Sequence, residues 1–313
     1  MRRIIRNLQK YKLIYLLALP SILYIIIFKF VPLFGLQIAF KAFSIRKGIV
    51  GSAWNNFENF RYLFSQDGFW HALKNTIIMG ALHLAISFPA ALIIAVFFSE
   101  IRNQRIRKSV QVISTFPHFL SWVLVASLCF NILGNYGFVN NIITSAGGES
   151  VAFFSSPERF RWVLVFSYIW KESGWNSIIY FAAICGIDQT LYEAAKLDGA
   201  GRWRCIQYVT LPGLKNTIIA MMLIQIGNMF TAGFSQIYNL YNATVYSTAD
   251  VLETYIYRLT FSSSNSFGIS AAAGLIESVL NMLTLLAAEW LCRKLTNESL
   301  FMDLFAVSRD KDE

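Results

Sequence analysis

Long apolar runs alternate with short polar connectors along this chain. A helix that crosses a bilayer needs about 20 largely apolar residues. Six windows meet that requirement: 13–40, 76–98, 110–133, 162–184, 217–237 and 269–291. The first is interrupted by Pro20, Lys29 and Pro32, and the fifth is the most polar. Pro89 and Pro117 fall inside the second and third windows and predict kinks, with neighbouring helices taking up the freed carbonyls. The pattern predicts an all-α integral membrane protein with six transmembrane helices. Short tails at 1–12 and 292–313 flank a membrane region over 13–291, and no short-period repeat is visible. The start of the chain, basic and then apolar from Leu13 to Phe28, has the look of a signal peptide. The next residues are Lys29, Phe30, Val31 and Pro32, which is no cleavage site, so the segment reads as a retained first span.

Composition agrees with this solvent. Charged residues make up 14% of the chain, against about 25% in soluble domains, and mean hydropathy is +0.49. The net charge of +9 raises the question of nucleic acid, and its distribution answers it. The N-terminal tail, the 99–109 and 185–216 connectors and the C-terminal tail hold about twice as many Lys and Arg as the opposite connectors. This asymmetry places both termini in the cytoplasm and accounts for the basic surplus without a nucleic-acid partner. Cys129, Cys185, Cys205 and Cys292 show no pairing or metal-ligand spacing. His71, His83 and His118 show no ligand spacing either and read as packing residues. The aromatic segment 41–74 is amphipathic, suited to an interfacial anchor or to docking a partner protein.

One connector is unusual. Thr190 to Gly213 reads TLYEAAKLDGAGRWRCIQYVTLPG. Thr190 and Glu193 have capping-box spacing, the next residues favour a short helix, and Gly199 suits a left-handed helix stop. Residues 203–209 predict a second short helix, closed by Leu211 and Pro212 before the fifth window. A plain surface hairpin accounts for the caps. It does not account for Ala194, Ala195, Gly199 and Ala200 where an exposed helix ordinarily carries Lys and Glu. Small residues let another backbone approach, which points to a docking surface.

The run Glu193-Ala194-Ala195, then Asp198-Gly199-Ala200, then Leu211-Pro212 resembles the EAA loop of binding-protein-dependent ABC transporter permeases. Within them the chain is similar to the maltose-permease type, and most to the LplB-like subgroup that imports oligosaccharides and polysaccharide fragments. FKFVPLFGLQIAFKAF (28–43), GSAWNNFENFRYLF (51–64), TFPHFLSW (115–122) and RKLTNESLF (293–301) carry that likeness. The resemblance implies the six-helix, MetI-like fold of a type I importer, and no enzymatic activity in this chain. It implies a coupling role for Glu193, Ala194, Ala195, Asp198, Gly199, Ala200 and Pro212, seated on an ATPase subunit. The chain has no GxxxxGK[ST] phosphate loop, so ATP-Mg belongs to partners. Those partners are two ABC ATPase subunits, a second homologous permease forming a heterodimer, and an extracytoplasmic solute-binding protein, in a bacterial plasma membrane.

Three windows carry polar stripes at helical spacing. Glu172, Ser173, Asn176, Ser177 and Tyr180 share one face, with Trp170 and Trp175 beside it. Gln225, Asn228 and Ser235 form a second stripe, and Ser270, Gly274, Glu277, Asn281 and Thr284 a third. A charge at mid-bilayer costs about 2.5–3.5 kcal/mol or more and turns toward protein or water. Hydrogen-bonded glue between helices is the plainer explanation for any single Ser or Thr. Together the stripes suggest a wet path, because sugars take amide and hydroxyl partners for their OH groups and aromatic faces for their C–H faces. Glu172, Asn176, Tyr180, Gln225, Asn228, Glu277 and Asn281 are the candidate path residues. The rival class is a self-contained carrier or channel that uses Lys171, Glu172 and Glu277 as an ion relay. Neither reading calls for a metal.

Overall fold

The computed structural model describes residues 10–230, 233–262 and 267–296 of the 313. They are almost wholly helical, and the one strand-like pairing among them is an isolated bridge between Lys41 and Trp54. The chain divides into two compact units, 1–66 with 256–276 and 67–255 with 277–313.

The first unit begins with α1 (Lys12–Phe40), a 29-residue rod. It is α-helical to Ile25, π-helical over Ile26–Phe30 and 3-10 over Val31–Phe40. The change of pitch falls just before Pro32, which lacks an N–H to continue the ladder. Ala39 is its only buried residue, so α1 is apolar all round without a core of its own. Beyond it, Phe40 packs on Phe57 and Phe60. Lys41 Nζ donates to the Ile49 carbonyl at 2.7 Å and lies over the Trp54 ring. Asn59 Nδ2 donates to the carbonyls of Ala39 and Lys41. The aromatic segment after α1 is thus a small folded cap.

The second unit is built around α5 (Pro157–Cys185), which packs along α2 (Asp67–Glu100). Ala91 and Ala95 on α2 let Tyr180 and Ile184 of α5 come close, and Leu214 completes that cluster. A second cluster joins Met79, Ala126, Phe160, Leu164, Ile237 and Leu240. Within α2, residues His83–Ser87 form a π turn in which Phe88 N–H donates to the His83 carbonyl. Pro89 follows and cannot donate to the carbonyl four residues back, so the wider turn passes that defect along without breaking the rod.

Three predicted windows look different in the structure. Residues 110–133 are not one helix. Amphipathic α3 (Gln104–Thr115), capped by Asn103, leads into a 3-10 turn over Phe116–Phe119. Leu120 and Ser121 are extended, and Ser121 caps α4 (Trp122–Leu133). Pro117 stops the first helix and the Ser121 hydroxyl starts the second. Residues 217–237 are likewise divided: α8 (Lys215–Gly227) ends where Asn228 leaves helical geometry, and a new short helix, α9 (Phe234–Leu240), starts after Gly233 at φ +116°. Finally, α5 has 29 residues, about 43 Å at helical rise, yet its polar stripe keeps it below the apolarity of a simple span. Among the described residues, four helices are long and apolar enough to cross a membrane, including α10 (Phe267–Thr296), which qualifies over Phe267–Lys294. A fifth joins them if the bent pair α7 (Arg202–Gly213) and α8, 62° apart, counts as one.

One contact sets the α3–α5 crossing. A Cβ on Gly174 would sit 1.9 Å from the Ser114 carbonyl oxygen, an overlap with backbone. Gly174→Ala is expected to destabilise the protein by at least about 1–3 kcal/mol through overpacking. The check is the thermal midpoint of the purified chain, with Gly35→Ala, which meets nothing within 4 Å, as the unchanged control.

Candidate functional site

The hairpin begins at α6 (Gln189–Leu197). Its cap is Asp188, whose side chain accepts the Thr190 N–H at 2.9 Å. Thr190 therefore lies inside the first turn, and the predicted capping box with Glu193 does not form. An aspartate at the boundary is the better acceptor for an orphan N–H because it is charged. The same bond, with one from the Thr190 side chain, holds the Asp188 carboxyl below its ordinary value. The C-terminus follows expectation. Gly199 has φ +77°, Ala200 N–H donates to the Ala195 carbonyl, and Gly199 N–H donates to that of Lys196, which is a Schellman closure. Tyr192 and Thr210 hydroxyls meet at 2.9 Å and tie α6 to α7.

The hairpin satisfies its own backbone, and its surface is left unusually apolar. Leu197 is 90% exposed, Trp203 74%, Tyr208 69% and Leu191 54%. Glu193, Ala194, Asp198, Gly199 and Pro212 are exposed beside them, and Ala195 and Ala200 are half-buried. Glu193 makes no hydrogen bond or ion pair within the described chain.

The candidate path residues fall into three groups. Asn176, Tyr180 and Gln225 come together with Tyr168 around a cavity of about 30 Å³, room for about one water. Tyr168 also hydrogen-bonds the Gln225 side chain. Tyr168 then lines a second cavity of about 380 Å³, with Trp122, Phe234, Ser235, Gln236 and Glu253. Glu172 belongs to a charged cluster: it accepts from His118 Nδ1 at 2.7 Å and pairs with Lys171 Nζ at 3.2 Å. Lys171, 4% exposed, donates to the His118 carbonyl. His118 stacks on Trp175 at 4.4 Å, nearly parallel. Its role is thus hydrogen bonding at the α3–α4 break, more than the packing its sequence context suggested. The third group comprises Asn228, Glu277 and Asn281. Asn281 Oδ1 accepts the Phe230 N–H just past the end of α8, and Asn228 Nδ2 donates to the Ile224 carbonyl. Glu277 is 8% exposed, and its Oε1 accepts no hydrogen bond among the described residues.

Tyr168, Trp122 and Glu253 had escaped the sequence reading. Tyr168 was legible: it lies four and eight residues before Glu172 and Asn176, on the same stripe. Trp122 and Glu253 join the site only through the breaks at Leu120–Ser121 and Gly233, which no periodicity announces.

Residues 87–297 match the family described as binding-protein-dependent transport system inner membrane component. The chain belongs to that family. It is 38% identical, over 96% of its length and 94% of the relative's, to the polygalacturonan/rhamnogalacturonan transport system permease protein YteP of Bacillus subtilis (strain 168). Protein LplB of the same organism is 37% identical over 94% of this chain and 92% of its own. A crystal structure of a bacterial ABC transporter involved in import of the acidic polysaccharide alginate superposes with TM-score 0.87 at 38% identity, covering 94% of this chain and 99% of that one. A crystal structure of a bacterial alginate ABC transporter in complex with an alginate pentasaccharide-bound periplasmic protein gives 0.86 at 37% identity. This binding-protein-dependent permease is therefore a membrane transport component and not an enzyme, with the MetI-like ABC permease fold. In this permease Lys171 and Glu172 are closed on each other and on His118, and Glu277 is not among their partners, which gives no support to an ion relay through the three.

Removing Glu172 leaves the buried Lys171 ammonium without its counter-ion, a loss of up to about 3–5 kcal/mol in a fully buried pair. Glu172→Ala is expected to lower stability by part of that, because Glu172 is itself half-buried, and Glu172→Gln, which keeps an acceptor for Lys171 and His118, by less. Thermal unfolding of the two variants checks the pairing.

Proposed function

We propose that this chain forms half of the translocation path of an ATP-driven importer for oligosaccharides or polysaccharide fragments. The observation that carries the proposal is the hairpin 190–213, folded by its own caps yet presenting Leu197, Trp203 and Tyr208 to solvent. Exposed apolar patches rimmed by polar groups mark interaction sites. Both termini and the hairpin lie on the cytoplasmic side in this reading, set by the Lys and Arg asymmetry. Six spans follow when α5 and the fifth apolar window, which begins in α8, are counted as crossings. The hairpin then docks on one of two ABC ATPase subunits, which hold ATP and Mg²⁺. Glu193 faces basic or polar groups of that subunit, Ala194, Ala195 and Ala200 allow close approach, Asp198 and Gly199 form the turn, and Pro212 closes the unit.

YteP is a permease of a polygalacturonan/rhamnogalacturonan transport system and the first solved transporter is involved in alginate import, while the second is in complex with an alginate pentasaccharide-bound periplasmic protein. We extend that arrangement to this chain: a solute-binding protein delivers the sugar, and a second, different permease supplies the other wall. The polar wall here runs from Asn176 and Gln225 through Tyr168 to Trp122 and Glu253, with His118, Glu172 and Trp175 adjoining. Its amides and carboxylates suit sugar hydroxyls and its rings suit C–H faces. Asn228 and Asn281, beside the end of α8, and Glu277 extend the candidate path. Closure of the ATPases moves the hairpins and rocks the permease halves between inward and outward access.

Leu197→Asp separates docking from folding, because a side chain this exposed contributes little to the fold. The expected result is normal membrane insertion and an unchanged thermal midpoint, with ATP-dependent sugar uptake reduced about tenfold or more, the ordinary cost of losing a buried interface anchor. Uptake at the wild-type level would remove the coupling role from this hairpin.

A further inference from the structure

Where α2 and α5 end, the chain encloses a cavity of about 580 Å³ against the inner face of the hairpin. Four cations line it: Arg102 after α2, Arg107 on α3, Lys196 at the end of α6 and Arg202 at the start of α7. None has a carboxylate within ion-pair distance among the described residues. Glu100 is the one acidic residue in the lining, so the cavity is left with a clear positive excess. Arg107 lies over the Phe181 ring at 5.5 Å, and Ile184 and Cys205 add apolar surface beside it.

Topology accounts for basic residues on a cytoplasmic face, but not for their convergence. Arg102 and Arg107 come from the connector between α2 and α4, while Lys196 and Arg202 come from the hairpin, about 90 residues later in the sequence. They meet around one opening whose wall is half apolar and lies at the ends of the helices read as spans. A free phosphate would use only the charges. An amphipathic molecule entering from the bilayer uses both surfaces, and basic pockets between membrane helices on the cytoplasmic side take anionic head groups.

We propose that this cavity binds the phosphate-bearing head group of an anionic phospholipid from the cytoplasmic leaflet. The head group bridges Arg102 and Arg107 to Lys196 and Arg202, and so ties the hairpin to the ends of α2 and α5. The placement rests on the cytoplasmic orientation given above. The binding itself does not require the importer reading.

Native mass spectrometry of the purified full chain, with phosphatidylglycerol as probe and phosphatidylcholine as reference, tests the site. The wild type is expected to retain phosphatidylglycerol preferentially. In the Arg102→Gln/Arg107→Gln variant its affinity should fall by about fivefold for each cation removed, the factor corresponding to one basic residue at an anionic surface. Arg102→Lys/Arg107→Lys should keep most of the preference, which separates charge from misfolding. Equal retention of phosphatidylglycerol by wild type and the Gln variant overturns the proposal. So does displacement of the lipid by inorganic phosphate at millimolar level, which would mark a site for a soluble anion. Failure of ATP-dependent uptake with lipid binding intact would count against the importer reading alone.

Discussion

A bilayer offers no hydrogen-bond partner to a freed peptide group, and the breaks in this chain are placed by that constraint. Each interruption of a membrane helix is met by protein. The Pro89 defect is absorbed by a π turn, with Phe88 N–H bonded to the His83 carbonyl. At the Phe116–Ser121 break, the Pro117 carbonyl accepts the Leu120 N–H, the His118 carbonyl accepts the Lys171 ammonium, and the Ser121 hydroxyl starts α4. Past the end of α8, Asn281 accepts the Phe230 N–H. The polar stripes of α5 and α10 thus serve two ends at once. Some of their side chains mend broken backbone, and others are left to line cavities.

In the hairpin the logic reverses. The hairpin 190–213 needs no help with its backbone, since Asp188 caps one end of α6 and Gly199 closes the other. It is the apolar side chains that lack partners there. Leu197 and Trp203 stand in solvent on an element too small to hide them. The importer proposed above, driven by separate subunits, gives such an element a use, and the inner side of the same hairpin closes the basic cavity.

Much of this was legible in the sequence. Four of the six apolar windows, 13–40, 76–98, 162–184 and 269–291, fall within single long helices, because twenty apolar residues in a row have few other uses. The Glu193 to Pro212 run carried the family. Asn176, Tyr180 and Gln225 were placed on converging stripes by helical periodicity, and the structure brings them to one cavity. Other features were not legible because they depend on tertiary partners. Pro117 signalled a kink, but a full break also needed the Lys171 ammonium from another helix. The cap lies at Asp188 and not at Thr190 because the helix starts at Gln189, so that Thr190 offers an orphan N–H instead of receiving one, and spacing alone does not fix that boundary. Glu253 is remote in sequence from every stripe and reaches the site only because Gly233 turns the chain.

The central claim is that this hairpin is the seat of a separate ATPase. Its most direct test is cross-linking in native membranes from a photo-reactive side chain at position 194, on the exposed small-residue face of α6. The account predicts one dominant adduct, with a protein that binds nucleotide. Adducts with lipid alone, or with no nucleotide-binding protein while the chain still transports sugar, would contradict it.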